Sequence, residues 1–275
     1  MPSIGLLHPG AMGASVGAAA VATGHRVYWA SDGRSEATGK RASRARLEDA
    51  RTVDTIVARC EIILSVCPPH SAEEVAQSVV DAGFKGLYLE GNAIAPARAR
   101  RIADLLTSHG ATMVDGGIIG GPAWHADAGT TLHLSGDSAS RIAQLFAGSP
   151  LATNIVSKEI GAASALKMVF AAYTKGSTAL LSAILGVAER EGVRGALEAQ
   201  WGEKFTRETH ARVTGNTSKA WRFVGEMEEI AATFADADFD DGFHRAAADT
   251  FNRLARFKDA PASSIEAVLE ALLSR

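Results

Sequence analysis

The chain has 275 residues, long enough for two domains or one large one. Apolar residues make up 47% and charged residues 21%, ordinary for a soluble globular protein, and a net charge of -3 argues against nucleic acid or an acidic membrane surface as partner. The two cysteines, Cys60 and Cys67, give no disulfide framework, and no basic segment leads into an apolar run at the N-terminus, so the expectation is a cytoplasmic protein.

Residues 3–7 read as a strand and 12–23 as a helix of small residues. Residues 26–30 form a second strand, a helix falls within 46–59, and the wholly apolar run after Glu61 is a strand over 61–66. A helix over 71–82, a strand over 86–90 and a helix over 96–109 follow, then strands at 112–115 and 131–135. Short unbroken apolar strands alternating with helices predict a parallel sheet covered on both faces. From about Ile160 the strands stop. A long helix over 160–192 and amphipathic helices over 198–214, 221–235, 243–257 and 263–273 complete the chain. The fold class is α/β: a doubly wound Rossmann domain over 1–155, then an all-α domain over 156–275. Lys167 and Lys175 inside the long helix argue against a membrane span.

The segment IGLLHPGAMGASVG nearly spells the dinucleotide fingerprint G-x-G-x-x-G, with His8 where the first glycine belongs. Gly10 and Gly13 keep the second and third positions, which let backbone approach a pyrophosphate and a helix pack on a strand. His8 and Pro9 stiffen the turn, and the backbone donors of Ala11 and Met12 can still face a phosphate. At the end of the second strand, WASDGRS offers both specificities. Asp32 suits the ribose hydroxyl of NAD, whereas Arg34 and Ser35, beside Ser31, suit the 2′-phosphate of NADP, with Lys40, Arg41 and Arg44 adding positive potential. NADP (NADPH) is the favoured cofactor, with NAD the alternative.

Five stretches in order carry a family resemblance. IGLLHPGAMG resembles the opening of the β-hydroxyacid dehydrogenases, the family of 3-hydroxyisobutyrate and 6-phosphogluconate dehydrogenases. SVCPPHSAEEV resembles that family's loop after the fourth strand, which implies cofactor contacts at Val66, Cys67 and Pro68. EGNAIAP resembles its D-x-S-T-x-x-P segment, DGGIIGG its substrate motif, and GAASALKMVFAAYTKG its catalytic helix. The resemblance implies Lys167 as catalytic acid/base and substrate contacts at Gly117, Ile119, Gly120 and Gly121. It also implies a homodimer through the helical domain. Two positions depart from the family. Ile119 replaces a serine that contacts the substrate carboxylate, and Ala171 replaces an asparagine four residues beyond the lysine. The pocket is therefore expected to be more apolar.

Hydride transfer to a carbonyl leaves an alkoxide that needs a proton, and a lysine in an apolar helix suits that task. Asn92 is the second catalytic candidate, donating to the carbonyl or to the nicotinamide ribose; a plain turn residue is the alternative. Lys175 lies about 80° further round the helix from Lys167 and could bind an anionic group, cap the cleft or be solvated. Tyr173 is a weaker second donor. Trp124 and His125 could line the pocket, His244 could reach a site, and Arg222 with Glu226 reads first as an intrahelical ion pair. No pattern suggests a metal, ATP or a hydrolase elbow. The expected activity is reversible interconversion of a hydroxyl and a carbonyl on a small hydroxy-acid-type substrate. The alternatives are an imine reductase or reductive aminase, and a non-catalytic NADPH-binding sensor.

Overall fold

The computed structural model describes residues 1–258 and 260–274. The chain divides into two compact units, Met1–Lys167 and Met168–Arg275.

The first unit is a Rossmann-type α/β domain. Its strands are β1 (Ile4–Leu7), β2 (Val27–Trp29), β3 (Glu48–Asp49), β4 (Ile62–Ser65), β5 (Leu87–Glu90), β6 (Thr112–Ile119), β7 (Thr131–Ser135) and β8 (Ala152–Ser157). They form one eight-stranded sheet in the order β3-β2-β1-β4-β5-β6-β7-β8. β1 pairs in parallel with both β2 and β4, so the strand order reverses at β1. A crevice opens at such a switch point, outside the carboxyl ends of the strands. The parallel expectation holds through β6 and then changes: β7 runs antiparallel to β6, and β8 is parallel to β7.

Alternation along each strand builds two apolar layers. Ile62, Leu64, Leu87 and Leu89 face one layer with Ile4 and Leu6, whereas Ile63 and Tyr88 face the other with Ile56 and Ile102. The covering helices are α1 (Ala11–Ala22), α2 (Glu36–Arg44), α3 (Val53–Arg59), α4 (Ala72–Asp81), α5 (Pro96–Ser108) and α6 (Ala139–Gln144). In α1 the small residues bring helix to sheet: a Cβ on Gly17 would lie 2.9 Å from Leu6 Cδ2.

β6 runs four residues beyond the expected strand at 112–115, into the DGGIIGG motif. Gly116 and Gly117 pair with Leu134 and His133 of β7. A Cβ at Gly116 would stand 2.8 Å from Leu89 Cδ1 and 3.1 Å from the Glu90 carbonyl oxygen, so glycine leaves this crossing with β5 uncrowded. α2 and β8 were absent from the expectation. α2 buries only Ala42 and β8 is an edge strand of largely exposed residues, so neither carries an apolar period. β8 also crosses the expected boundary at 155/156. The first unit ends at Lys167, because the first turns of α7 (Ala162–Arg190) are tied to β6 and β7.

The second unit holds the rest of α7 with α8 (Arg194–Asn216), α9 (Ala220–Asp236), α10 (Gly242–Arg253) and α11 (Ile265–Leu273). Residues 259 and 275 of the expected helical domain lie outside the described residues. α8 breaks at Gly202, where φ is 77° and ψ 160°. Arg212 of α8 donates to Thr178 Oγ1, Thr174 O and Ser177 Oγ of α7 at 2.8, 2.7 and 2.6 Å. Phe223 and Phe251 meet edge to face at 5.2 Å between α9 and α10. By length and composition α7 could cross a bilayer; 44% of its most apolar window is buried within the fold.

Candidate cofactor and active site

The β1–α1 turn makes a small cradle. His8 adopts φ 68°, the left-handed conformation expected of a glycine. Its carbonyl accepts the Gly10 N–H at 2.7 Å, and a Cβ on Gly13 would lie 2.5 Å from that carbonyl. Gly13 must therefore be glycine. α1 then starts at Gly10 with no side-chain cap and no acidic residue in its first turn. The backbone donors of Ala11 and Met12 thus meet no competing side chain at a helix N-terminus, a geometry that fits a diphosphate. Pro9 is buried, and its carbonyl accepts Arg41 Nε–H at 3.1 Å. Arg41 therefore braces the turn rather than merely adding potential.

At the end of β2, Ser31 Oγ donates to Asp49 at 2.9 Å, and Asp32 pairs with Arg51 at 3.7 Å. Ser35 caps α2, accepting the Thr38 N–H at 3.3 Å. Arg34 is exposed, and its charge helps hold His8 neutral. Of these residues, Arg34 has no ion pair among the described residues.

Leu7, Ser65, Glu90 and Asp115 form one row across β1, β4, β5 and β6. The residues just beyond this row line the carboxyl edge of the sheet. Val66 closes on the turn, its Cβ 3.4 Å from a Cβ built at Gly13. Cys67 follows, its thiol pushed up to about 12 chiefly by burial, and Pro68 is exposed. Asn92 is 2% exposed. Its Oδ1 accepts the Cys67 N–H, its Nδ2 donates to Ser65 Oγ at 3.2 Å, and its own N–H donates to Glu90 Oε1 at 3.0 Å. Asn92 is thus a brace between the loops after β4 and β5, not a donor open to a substrate carbonyl. Glu90 is wholly buried, and burial pushes its carboxyl up to about 8.

Asp115 is the hub of the other half of the site. Its buried carboxylate accepts the N–H groups of Gly161 and Ser164 at 3.0 Å each, Ser135 Oγ–H at 2.9 Å, and Ser164 Oγ–H. Ser135 Oγ in turn accepts the Ala163 N–H at 3.1 Å. A carboxylate over the first turn satisfies donors that a helix start leaves open and complements its dipole. The first turn of α7 is thereby fixed on β6 and β7. Gly117 allows the close approach: a Cβ there would be 2.6 Å from Ala163 O and 2.9 Å from Lys167 Cβ. Lys167 stands over Gly117, half-buried. His133, paired with Gly117 on β7, is close enough for the Lys167 charge to add to burial in holding its imidazole neutral. Asn154 Nδ2 lies 3.1 Å from His133 Nδ1. The sequence reading missed His133 because a lone histidine in a strand carries no signal of its neighbours.

Ile119 ends β6 opposite Thr131. Gly120 takes φ 123° against Thr130, whose Oγ1 donates to the Gly121 carbonyl at 2.6 Å; both glycines are exposed. Trp124 does not stand free in a pocket: the Arg44 guanidinium covers its ring at 4.1 Å. His125 is exposed.

Several positions singled out in the sequence fall in the second unit. Ala171 is 0% exposed, so it fills a packing position and offers no surface to a ligand. Lys175 is neither solvated nor open to an anion: Nζ pairs with Glu226 at 2.8 Å and lies 5.1 Å from the Phe223 ring centre. Glu226 thus bridges α9 to α7, in place of the expected pair with Arg222. His244 is buried against Phe234, with ring centres 4.1 Å apart.

This combination of a doubly wound sheet, a glycine cradle at its switch point and a helical second unit defines the class of nicotinamide-dependent oxidoreductases. Residues 3–147 match the NAD binding domain of 6-phosphogluconate dehydrogenase, and residues 185–254 match a domain of unknown function, DUF1932. The chain belongs to the 6-phosphogluconate dehydrogenase-like NAD-binding family. An uncharacterized 28.5 kDa protein "in 7S RNA 5'region" of Methanothermus fervidus is 29% identical over 203 residues, 72% of this chain and 77% of that one. The 3-hydroxyisobutyrate dehydrogenase of Mycobacterium tuberculosis superposes with a TM-score of 0.71 at 19% identity, covering 100% of both chains. An imine reductase from Myxococcus stipitatus in complex with NADP+ gives 0.58 at 20% identity, covering 99% of this chain and 100% of that chain.

Proposed function

We propose that the protein is an NADP-dependent oxidoreductase that interconverts a hydroxyl and a carbonyl on a small substrate, with Lys167 as proton donor and acceptor. The observation that carries this reading is the anchoring of Lys167. The Asp115 hub and the bare backbone of Gly117 hold its helix turn over β6, in the sheet that carries the β1–α1 cradle at its switch point. A nicotinamide cofactor, when bound, supplies or accepts the hydride. The protein's own residues do the rest. Gly10, Ala11, Met12 and Gly13 seat the diphosphate, and Val66, Cys67 and Pro68 lie along it, braced by Asn92. Arg34 takes the 2′-phosphate, supported by the engagement of Asp32 with Arg51. Gly117, Ile119, Gly120 and Gly121 shape the substrate side, and Lys167 moves the proton at the substrate oxygen. The working molecule is read as a cytoplasmic homodimer.

Imine reduction is the second reading. Ile119 brings an apolar side chain where the family has a serine for a carboxylate, which suits a substrate without one. Titration with NADPH and NADH, following nicotinamide fluorescence, tests the cofactor. Ketone, hydroxy-acid and cyclic-imine panels then separate the two reactions. The expected result is preference for NADPH, with Lys167→Ala lowering kcat by about 100-fold or more while NADPH affinity holds. Turnover unchanged in Lys167→Ala overturns the assignment of the lysine. Binding without turnover on any panel leaves a nucleotide sensor.

A further inference from the structure

His8 carries a conformational cost that the turn itself does not require. A glycine would adopt φ 68° without strain, and the turn is closed by backbone atoms alone. Among the described residues the imidazole gains no hydrogen bond in return, and its Nδ1 is buried without a partner. A buried lone pair is cheaper to leave unmatched than a buried N–H, so the ring proton belongs on Nε2. That nitrogen is not among the buried unpartnered atoms, and the ring makes no hydrogen bond among the described residues, so its N–H is open to solvent at the β1–α1 turn. Burial, and then the Arg34 charge, hold the ring neutral, with the pKa lowered to about 4. β1 and β2 are parallel neighbours with Leu6 opposite Trp29, so His8 and the segment that carries Arg34 both leave the sheet at the carboxyl ends of these two strands. In a doubly wound domain the adenosine ribose lies there.

We propose that His8 is a specificity residue: its Nε2–H and the Arg34 guanidinium together take the phosphate on the adenosine ribose, so that His8 helps select a 2′-phosphorylated dinucleotide. The proposal rests on the dinucleotide-binding reading above. The division of labour is physical. Arg34 supplies the charge, and a neutral imidazole supplies a directed donor without placing a second cation beside the first.

The test uses the full chain and does not depend on turnover. Adenosine 2′,5′-bisphosphate and 5′-AMP are titrated by calorimetry, and NADPH and NADH by fluorescence, against wild type, His8→Gly and His8→Asn. Glycine meets the left-handed turn and removes the donor; asparagine tolerates the turn and keeps an N–H. His8→Gly is expected to weaken the bisphosphate and NADPH about tenfold and leave 5′-AMP and NADH within about twofold. His8→Asn recovers part of the loss. Wild-type affinity for NADPH in His8→Gly overturns the proposal, as does an equal loss for all four ligands. Wild type that binds NADH and 5′-AMP without favouring the 2′-phosphate overturns it while leaving the dinucleotide reading intact. Wild type that binds none of the four overturns both.

Discussion

Glu90 and His8 show how single buried groups tie this fold to pH, with opposite signs. Glu90 is held at about 8 by burial, against an ordinary 4.5 in the unfolded chain. Between those values the folded protein keeps a proton that the unfolded chain releases. Its contribution to stability is therefore full below pH 4.5 and is lost as pH rises through 8. His8 falls the other way, from 6.5 to about 4, so its contribution is full above 6.5 and is lost as pH falls through 4. Glu90→Gln keeps the shape and an acceptor for the Asn92 N–H but removes the titration. Melting temperatures measured from pH 5 to 8 are expected to decline in wild type and to flatten in Glu90→Gln. Parallel curves for the two proteins would show that Glu90 is charged in the folded state.

At the scale of elements, the decisive arrangement is one helix start against two strands. Asp115, Ser135 and Ser164 spend their polar atoms on fixing the first turn of α7. Gly117 gives that turn room to approach. The arrangement also explains Gly117 without invoking substrate: packing requires it whether or not a ligand touches it. Gly117→Ala would set a methyl 2.6 Å from Ala163 O, so helix and strand must separate. The expected outcome is a lower melting temperature and at least about a tenfold fall in kcat, with NADPH affinity unchanged. A variant with wild-type kcat would show that the placement of Lys167 does not depend on this contact.

For the whole molecule, the outstanding feature is the uncovered side of α7. Val169, Tyr173, Leu180 and Val187 are all exposed and recur four, seven and seven residues apart, the spacing of one helix face. Tyr173 is 72% exposed, so it is neither a packed aromatic nor enclosed in a site of the single chain. A second copy seated on this stripe would bury it, in keeping with the homodimer proposed above. Leu180→Glu is expected to convert a dimer to a monomer in sedimentation experiments without loss of helical signal. A wild-type protein that sediments as a monomer at micromolar concentration would rule the assembly out.

Local pattern was enough for much of this protein. The apolar runs set β1, β4 and β5, the glycine turn announced the cradle, and Lys167 stood out as a charge within an apolar helix. These features are legible because burial of one face imposes a period on the sequence, and left-handed or crowded backbone imposes a residue type. The sequence did not reveal α2 or β8, whose residues are mostly solvent-facing and carry no such period. Nor did it reveal the reversal at β7, which depends on pairing between distant segments. The partners of polar side chains were the least legible of all. Asn92 looked like a donor to substrate and proved to be a brace, Lys175 found Glu226, and His133 came to stand beside Lys167. Periodicity records which side of an element is buried; only the tertiary structure decides which elements meet there, and hence which charges and hydrogen bonds each side chain completes.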